Sequence, residues 1–392
     1  MSQSISLYNQ LAKNKLFNKS INFDLKRIKL VLKKLDHPEK KLKNVINIIG
    51  SDGKYSLLTS LKFFIEANKC KTSAYISPSI KDIRERFWTG NSFLGYDEIN
   101  KAIKTIEQQK IKLTVFEVLT VIFILKASEK NNDFNLIEAG ALFAKDSTNV
   151  FDFPKIQAVC NINKQHLNFL KKKTLDEVIY QKVGFLSNFT NIYVGKQKPN
   201  VLKKIKKLLK KNNSSIQYPN LWQLKKFNNN FYYVDKKNKI KLNTRYIYSK
   251  GLLENLCQAI KIALDLKIDK KIIAKTISQI KFQARIDYIS KGKLTKKITK
   301  HEEILIDGCH SETSAKNLAD YLKTIKKPIY GIWGMTKHKE PTKFIKKFKG
   351  IFKKIITVNI ENETSSVSSK LLLKIAKNNN YKSEIANNIE EA

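Results

Sequence analysis

Residues 46–56 read Ile46-Asn47-Ile48-Ile49-Gly50-Ser51-Asp52-Gly53-Lys54-Tyr55-Ser56, and this stretch decides the fold. The apolar run 45–49 predicts a buried strand. It breaks at a glycine turn, and apolar residues of helical period follow: Leu57, Leu58, Leu61, Phe64 and Ile65. Strand, glycine turn, lysine, hydroxyl and helix is how a chain builds a phosphate cradle. Glycines let backbone N–H groups approach oxygens, the helix N-terminus adds positive potential, and Lys54 supplies a point charge. The spelling departs from a strict P-loop, which has four residues between its glycines and a hydroxyl directly after the lysine. Here two residues separate Gly50 from Gly53, and Tyr55 stands between Lys54 and Ser56. Read alone, the stretch also allows a strand-to-helix turn with no ligand.

Working outward, residues 1–44 read as helical, with Leu25, Ile28, Leu30, Val31 and Leu35 near helical spacing and His37-Pro38 ending the run. Strands are expected at 72–76, 134–137 and 157–162, and helices at 96–109 and 114–128. This alternation predicts a mainly parallel, doubly wound sheet. Ligands gather at the carboxyl ends of such strands. Lys54, Ser77, Glu138 and His166 all fall at strand ends. Residues 190–250 are poor in helix signals, and Tyr232-Tyr233-Val234 suggests a hairpin. Helices at 252–266 and 270–281 close the first domain, and 282–287 reads as the linker. A strand at 304–306, a helix at 314–325 and a strand at 329–332 make a second, smaller α/β domain. The expected division is 1–283 and 284–392.

At 392 residues, 42% of them hydrophobic, the chain is long enough for two domains with full cores. The four cysteines are scattered, with no CxxC pair, and read as reduced thiols in a cytoplasmic protein. No signal-peptide core opens the chain, and its longest apolar run is too short to span a bilayer. A formal charge of +41 raises nucleic-acid binding. The lysines are spread along the chain, however, with dense spots at 203–211 and 337–349, and no nucleic-acid motif accompanies them. Lys, Asn and Ile are all abundant, as A/T-rich codons would make them. Nucleic acid is therefore not expected as the main partner. The positive field would help to gather anionic substrates.

Glu138 suits Mg²⁺, which takes hard oxygen ligands and keeps waters. His166 is a softer ligand. The residues alone leave other readings open: Glu138 as a helix-capping carboxylate, His166 as a surface residue, Ser77 as a turn residue before Pro78, Lys182 as a solvated charge and Arg285 as a linker cation.

The stretch Gly50–Ser56 resembles the GTNGKGS turn of the folylpolyglutamate synthase and dihydrofolate synthase family, relatives of the muramyl ligases. The resemblance continues in order through Ser77-Pro78, Glu85-Arg86, Thr114-Val115-Phe116-Glu117, Glu138-Ala139-Gly140, Asp146-Ser147-Thr148-Asn149, Gln165-His166, Lys182-Val183-Gly184 and Asp307-Gly308-Cys309-His310. It implies a P-loop-type, mainly parallel central sheet domain that binds ATP, followed by a smaller Rossmann-like α/β ligase domain. It implies ATP between the domains, on Gly50, Gly53, Lys54, Ser56, Asn255, Arg285, Asp307 and His310. It implies Mg²⁺ on Ser77, Glu138 and His166, and a carbamylated Lys182 carrying a second magnesium. Lys54, Lys182 and His166 would be the catalytic residues.

Departures fall at the same places. Tyr55 stands for a glycine, Ser79 for the histidine of Ser-Pro-His, and Gln165 for the aspartate before His166. Ser311 replaces an asparagine, and Gly334-Met335-Thr336-Lys337 lacks the family's acidic pair. The expectation is a monomeric, cytoplasmic ligase with no membrane association. It would join L-glutamate to dihydropteroate or folate through an acyl phosphate. The alternatives are a muramyl-type ligase, for which some 44 residues before the first strand leave too little room, and a degenerate protein that binds nucleotide or nucleic acid without catalysis.

Overall fold

The computed structural model describes residues 3–18, 22–337, 339–361, 363 and 365–392. The chain divides into two compact units, one of Met1–Arg245 and Leu252–Ile280, the other of Tyr246–Gly251 and Lys281–Ala392.

The first unit is built on a seven-stranded sheet. In spatial order its strands are Phe87–Gly90, Thr72–Tyr75, Phe134–Glu138, Val45–Ile49, Ile156–Val159, Asn191–Val194 and Ser215–Gln217. All neighbours run parallel except Phe87–Gly90, which is antiparallel to Thr72–Tyr75. Every residue of Val45–Ile49 is buried, as a central parallel strand covered on both faces requires. Ile48 lies opposite Glu138 on one side and Ala158 on the other. The chain leaves this strand in one direction, returns, and continues in the other. The glycine turn thus sits where the winding reverses, the place where open α/β sheets bind ligands.

Two apolar layers cover the sheet. One contains Ile28, Val31, Tyr75, Phe87 and the Val115–Ser128 helix; the other contains Phe143, Val178, Val183, Val201 and Ile205. The Thr114–Glu117 motif caps the Val115–Ser128 helix. Thr114 Oγ1 accepts from the Glu117 N–H at 3.2 Å, and the Glu117 carboxylate accepts from the Thr114 N–H at 2.6 Å. Arg27 closes the corner with a bond to Glu117 at 3.1 Å.

The stretch 1–44 is not one helix. It forms Gln3–Lys13 and Leu25–Lys34, separated by a two-residue strand, Phe17–Asn18. The Asn14 side chain accepts from the Leu16 N–H at 2.9 Å and turns the chain there, while Asp24 caps the second helix. The region 190–250 likewise holds a helix the sequence did not announce, Pro199–Leu209. It buries Val201, Ile205 and Leu209 at four-residue spacing and turns its lysines outward. The dense basic run is therefore the solvated face of a helix. The expected hairpin is present as Trp222–Phe227 with Asn230–Asp235, joined by Lys239–Lys241 as a third strand.

The second unit has three parallel strands, Ile329–Trp333, Phe352–Thr357 and Ser383–Ile385, and an antiparallel pair, Asp287–Ile289 with Ile304–Ile306. The helices Glu312–Leu322 and Ser369–Lys377 contribute Ala315, Leu318, Leu322 and Leu372 to a core with Trp333, Phe344 and Phe348. Among the described residues no helix is long and apolar enough to cross a membrane.

Candidate functional site

The helix Lys54–Ala67 begins directly after the glycine turn, so its N-terminal dipole points at the turn. Gly53 has φ +95°, and a Cβ there would meet the side-chain amide of Asn255 at 2.5–2.9 Å. A Cβ at Gly50 would meet that of Cys160 at 2.8 Å. Both glycines are thus fixed by conformation and by close approach. Asn255 also donates to Ser56 Oγ at 2.9 Å, which brings these two predicted nucleotide residues together.

Lys54 turns its amine back over the turn. Nζ lies 3.4 Å from the carbonyl oxygens of Gly50 and Ser51 and 3.8 Å from Glu138 Oε1. Glu138 is the last residue of its strand and is 3% exposed. Its second oxygen accepts the Ser77 N–H at 3.2 Å. Lys54, Ser77 and Glu138 therefore converge, from three different strand ends. A buried carboxylate this close to an ammonium and a serine suits Mg²⁺, which needs only one or two carboxylates besides water and phosphate. Among the described residues no three His, Cys, Asp or Glu side chains gather as a metal cage.

His166 follows the strand Ile156–Val159 on the next loop, at φ +58°, and its ring stacks on Phe169. That loop is sewn to the glycine turn. Ser51 donates its N–H to Asn161 at 2.8 Å, and its hydroxyl bonds both the N–H and the carbonyl of Asn163 at 3.1 Å. Asp52 accepts from Asn163 Nδ2 at 2.5 Å and from Gln165 Nε2 at 3.0 Å. Sequence reasoning passed over Asp52 and Asn163. The signal was present, in an acid standing between the two glycines of the turn.

Lys182, on the helix Leu175–Val183, is 1% exposed. It is no solvated charge. Its amine donates to the carbonyls of Gly50 at 2.8 Å and Ala141 at 2.6 Å. Burial first, and the nearby Lys54 charge second, push its pKa down to about 7. Asp146 is fully buried a short way off. Desolvation raises its pKa above the usual carboxylate value, against two bonds from Thr148. Gly140 lies against it; a Cβ there would come within 2.5 Å of Asp146 Oδ2.

Arg285, Asp307 and His310 belong to the second unit. The Asp307 carboxylate accepts the N–H groups of Ile286 at 2.7 Å and Cys309 at 2.8 Å, and desolvation raises its pKa. Arg285 lies over Gly308, where a Cβ would meet its Nη1 at 2.7 Å. His310 is exposed and bonds the Gly308 carbonyl at 2.9 Å. The three are gathered at the end of the strand Ile304–Ile306.

No protein-family model matches the chain. It is 26% identical over 191 residues to the dihydrofolate synthase/folylpolyglutamate synthase of Bacillus subtilis, covering 46% of this chain and 44% of that protein. The match thus spans less than half the length of that relative. The folylpolyglutamate synthase of Thermotoga maritima superposes with a TM-score of 0.81 at 21% identity, over 98% of this chain and 90% of that one. Escherichia coli FolC, solved in complex with DHPP and ADP, superposes with a TM-score of 0.85 at 18% identity, over 99% and 90%. These two likenesses are of fold. By sequence over part of its length and by fold over nearly all of it, the chain is similar to the folylpolyglutamate synthases and dihydrofolate synthases.

Proposed function

We propose that this chain is an ATP-dependent acid–amino-acid ligase that joins L-glutamate to dihydropteroate, to folate, or to both. The observation that carries the reading is the convergence of Lys54, buried Glu138 and Ser77 at the mouth of a glycine turn facing a helix N-terminus. Such a site neutralises and orients phosphate. FolC, which shares the fold, was solved with ADP and DHPP.

In this reading Gly50, Gly53, Lys54, Ser56 and Asn255 hold the phosphates of ATP. Arg285, with its planar fork, Asp307 and His310 are taken as the nucleotide-binding residues of the second unit. Ser77, Glu138 and His166 would hold Mg²⁺, which supplies charge neutralisation for the transferring group. The γ-phosphoryl passes to the substrate carboxylate and ADP leaves. The amino group of glutamate attacks the resulting acyl phosphate, loses a proton, and phosphate departs as the amide forms. Lys54 stabilises charge on the transferring group. Lys182 has the shelter and depressed basicity that carbamylation requires, since only a neutral amine adds to carbon dioxide. All four cysteines are free thiols, which supports a cytoplasmic setting, and we take the enzyme to act as a monomer on small molecules.

The test is phosphate release from ATP with glutamate and dihydropteroate or folate supplied in turn, read with the mass of the product. Release that requires both co-substrates, with a product heavier by one glutamyl residue, is expected. ATP binding without release would leave the degenerate, non-catalytic alternative.

A further inference from the structure

Asp52 stands inside the glycine turn, where an anion is least welcome beside phosphate. Its carboxylate nonetheless accepts two amide donors from one loop, Asn163 Nδ2 at 2.5 Å and Gln165 Nε2 at 3.0 Å. Gln165 is 8% exposed and immediately precedes His166. The same two segments are joined by backbone bonds from Ser51 and Asp52 to Asn161 and by the Ser51 hydroxyl on Asn163. Against the spelling this chain resembles, the turn has aspartate for asparagine, and the position before the histidine has glutamine for aspartate. Acid and amide have changed places.

We infer that Asp52 and Gln165 form a polarity-reversed clamp that positions the phosphate turn against the loop carrying His166. Asp52 is a positioning residue. It acts on the nucleotide through the turn it holds. A charge-assisted bond is stronger than a neutral one, and both oxygens of Asp52 are directed away along it. The substitution that reads as a loss at Gln165 is thereby matched by the one at Asp52. This rests on the glycine turn being the nucleotide site.

The experiment measures affinity for a non-hydrolysable ATP analogue by calorimetry, with melting temperatures alongside, in four proteins: wild type, Asp52→Ala, Gln165→Glu, and the isosteric exchange Asp52→Asn/Gln165→Glu. Simple removal of an anion near phosphate would tighten binding in Asp52→Ala; the clamp requires it to weaken, by about tenfold. Gln165→Glu sets two carboxylates face to face and should weaken binding by about tenfold or more. The exchange rebuilds the bond with its direction reversed and should return affinity to within about threefold of wild type. Tighter binding in Asp52→Ala, or an exchange no better than Gln165→Glu, overturns the clamp. A wild-type chain that binds no ATP analogue overturns the ligase reading instead. The clamp is then decided by melting temperature, which the exchange must restore and Gln165→Glu must not.

Discussion

The amine of Lys182 donates to the carbonyl oxygen of Gly50 at 2.8 Å, so a buried lysine on one helix holds the first glycine of the glycine turn. Because desolvation brings its pKa to about 7 from an ordinary 10.5, the folded protein sheds a proton that the unfolded chain keeps. Between these values the unfolded state binds more protons, and stability rises with pH, by at most about 1.4 kcal/mol per unit for one group. Below pH 7 both states are charged and the gain is absent. Urea titrations of wild type and Lys182→Met at pH 7.5, 8.5 and 9.5, in buffer free of carbon dioxide, should show the wild type gaining on the variant at each step. Parallel curves would mean an amine of ordinary basicity.

Lys54→Ala should lower kcat/KM for ligation by roughly 10²–10³ while leaving the fold in place. Its amine reaches carbonyls of its own turn and one carboxylate. Steady-state kinetics with circular dichroism would separate the two effects. Unchanged ligation in a folded variant would remove the turn from the mechanism.

Glu138→Gln and His166→Ala should each raise the magnesium concentration for half-maximal activity by about tenfold or more, since in the proposed site each supplies a ligand to one shared ion. Glu138→Gln keeps the volume of a fully enclosed side chain, so its melting temperature should stay near that of the wild type. Normal magnesium dependence in both variants would make these residues structural.

Gly53→Ala adds a methyl group into the amide of Asn255 at a φ of +95°, and should cost about 1–3 kcal/mol of stability. It should weaken ATP binding as well, because the turn cannot open without moving Ser56, which Asn255 holds. Trimming the obstacle with Asn255→Ala should recover part of the stability and none of the nucleotide affinity. Full tolerance of Gly53→Ala would show that the close approach is not needed.

The parts of the fold that were legible are those written in apolar periodicity. The Val45–Ile49 strand, the helices after Gly53 and Gly95, and the strand ending at Glu138 were readable because a buried parallel strand and an apolar helical face leave unbroken signals. The helix Pro199–Leu209 was not, because its three inward residues are outnumbered by lysines that only solvent sees. The strand Phe17–Asn18 was too short to carry a period. At the site, Lys54 and Glu138 announced themselves by strand ends. The burial of Lys182 could not be read from a chain with so many lysines. Asp52 and Gln165 looked like separate departures until their side chains were seen to meet.

The central strand has one more consequence, for synthesis. Val45–Ile49 is wholly apolar apart from Asn47, and its partners on both sides come from residues 134–138 and 156–159. About a hundred residues must leave the ribosome before the strand can be flanked. At about 5–20 residues per second that is roughly 5–20 s. For this interval the nascent chain displays a naked apolar ribbon, followed by a helix equally unable to bury itself. Slowing or speeding translation across residues 50–160 would lengthen or shorten that exposure.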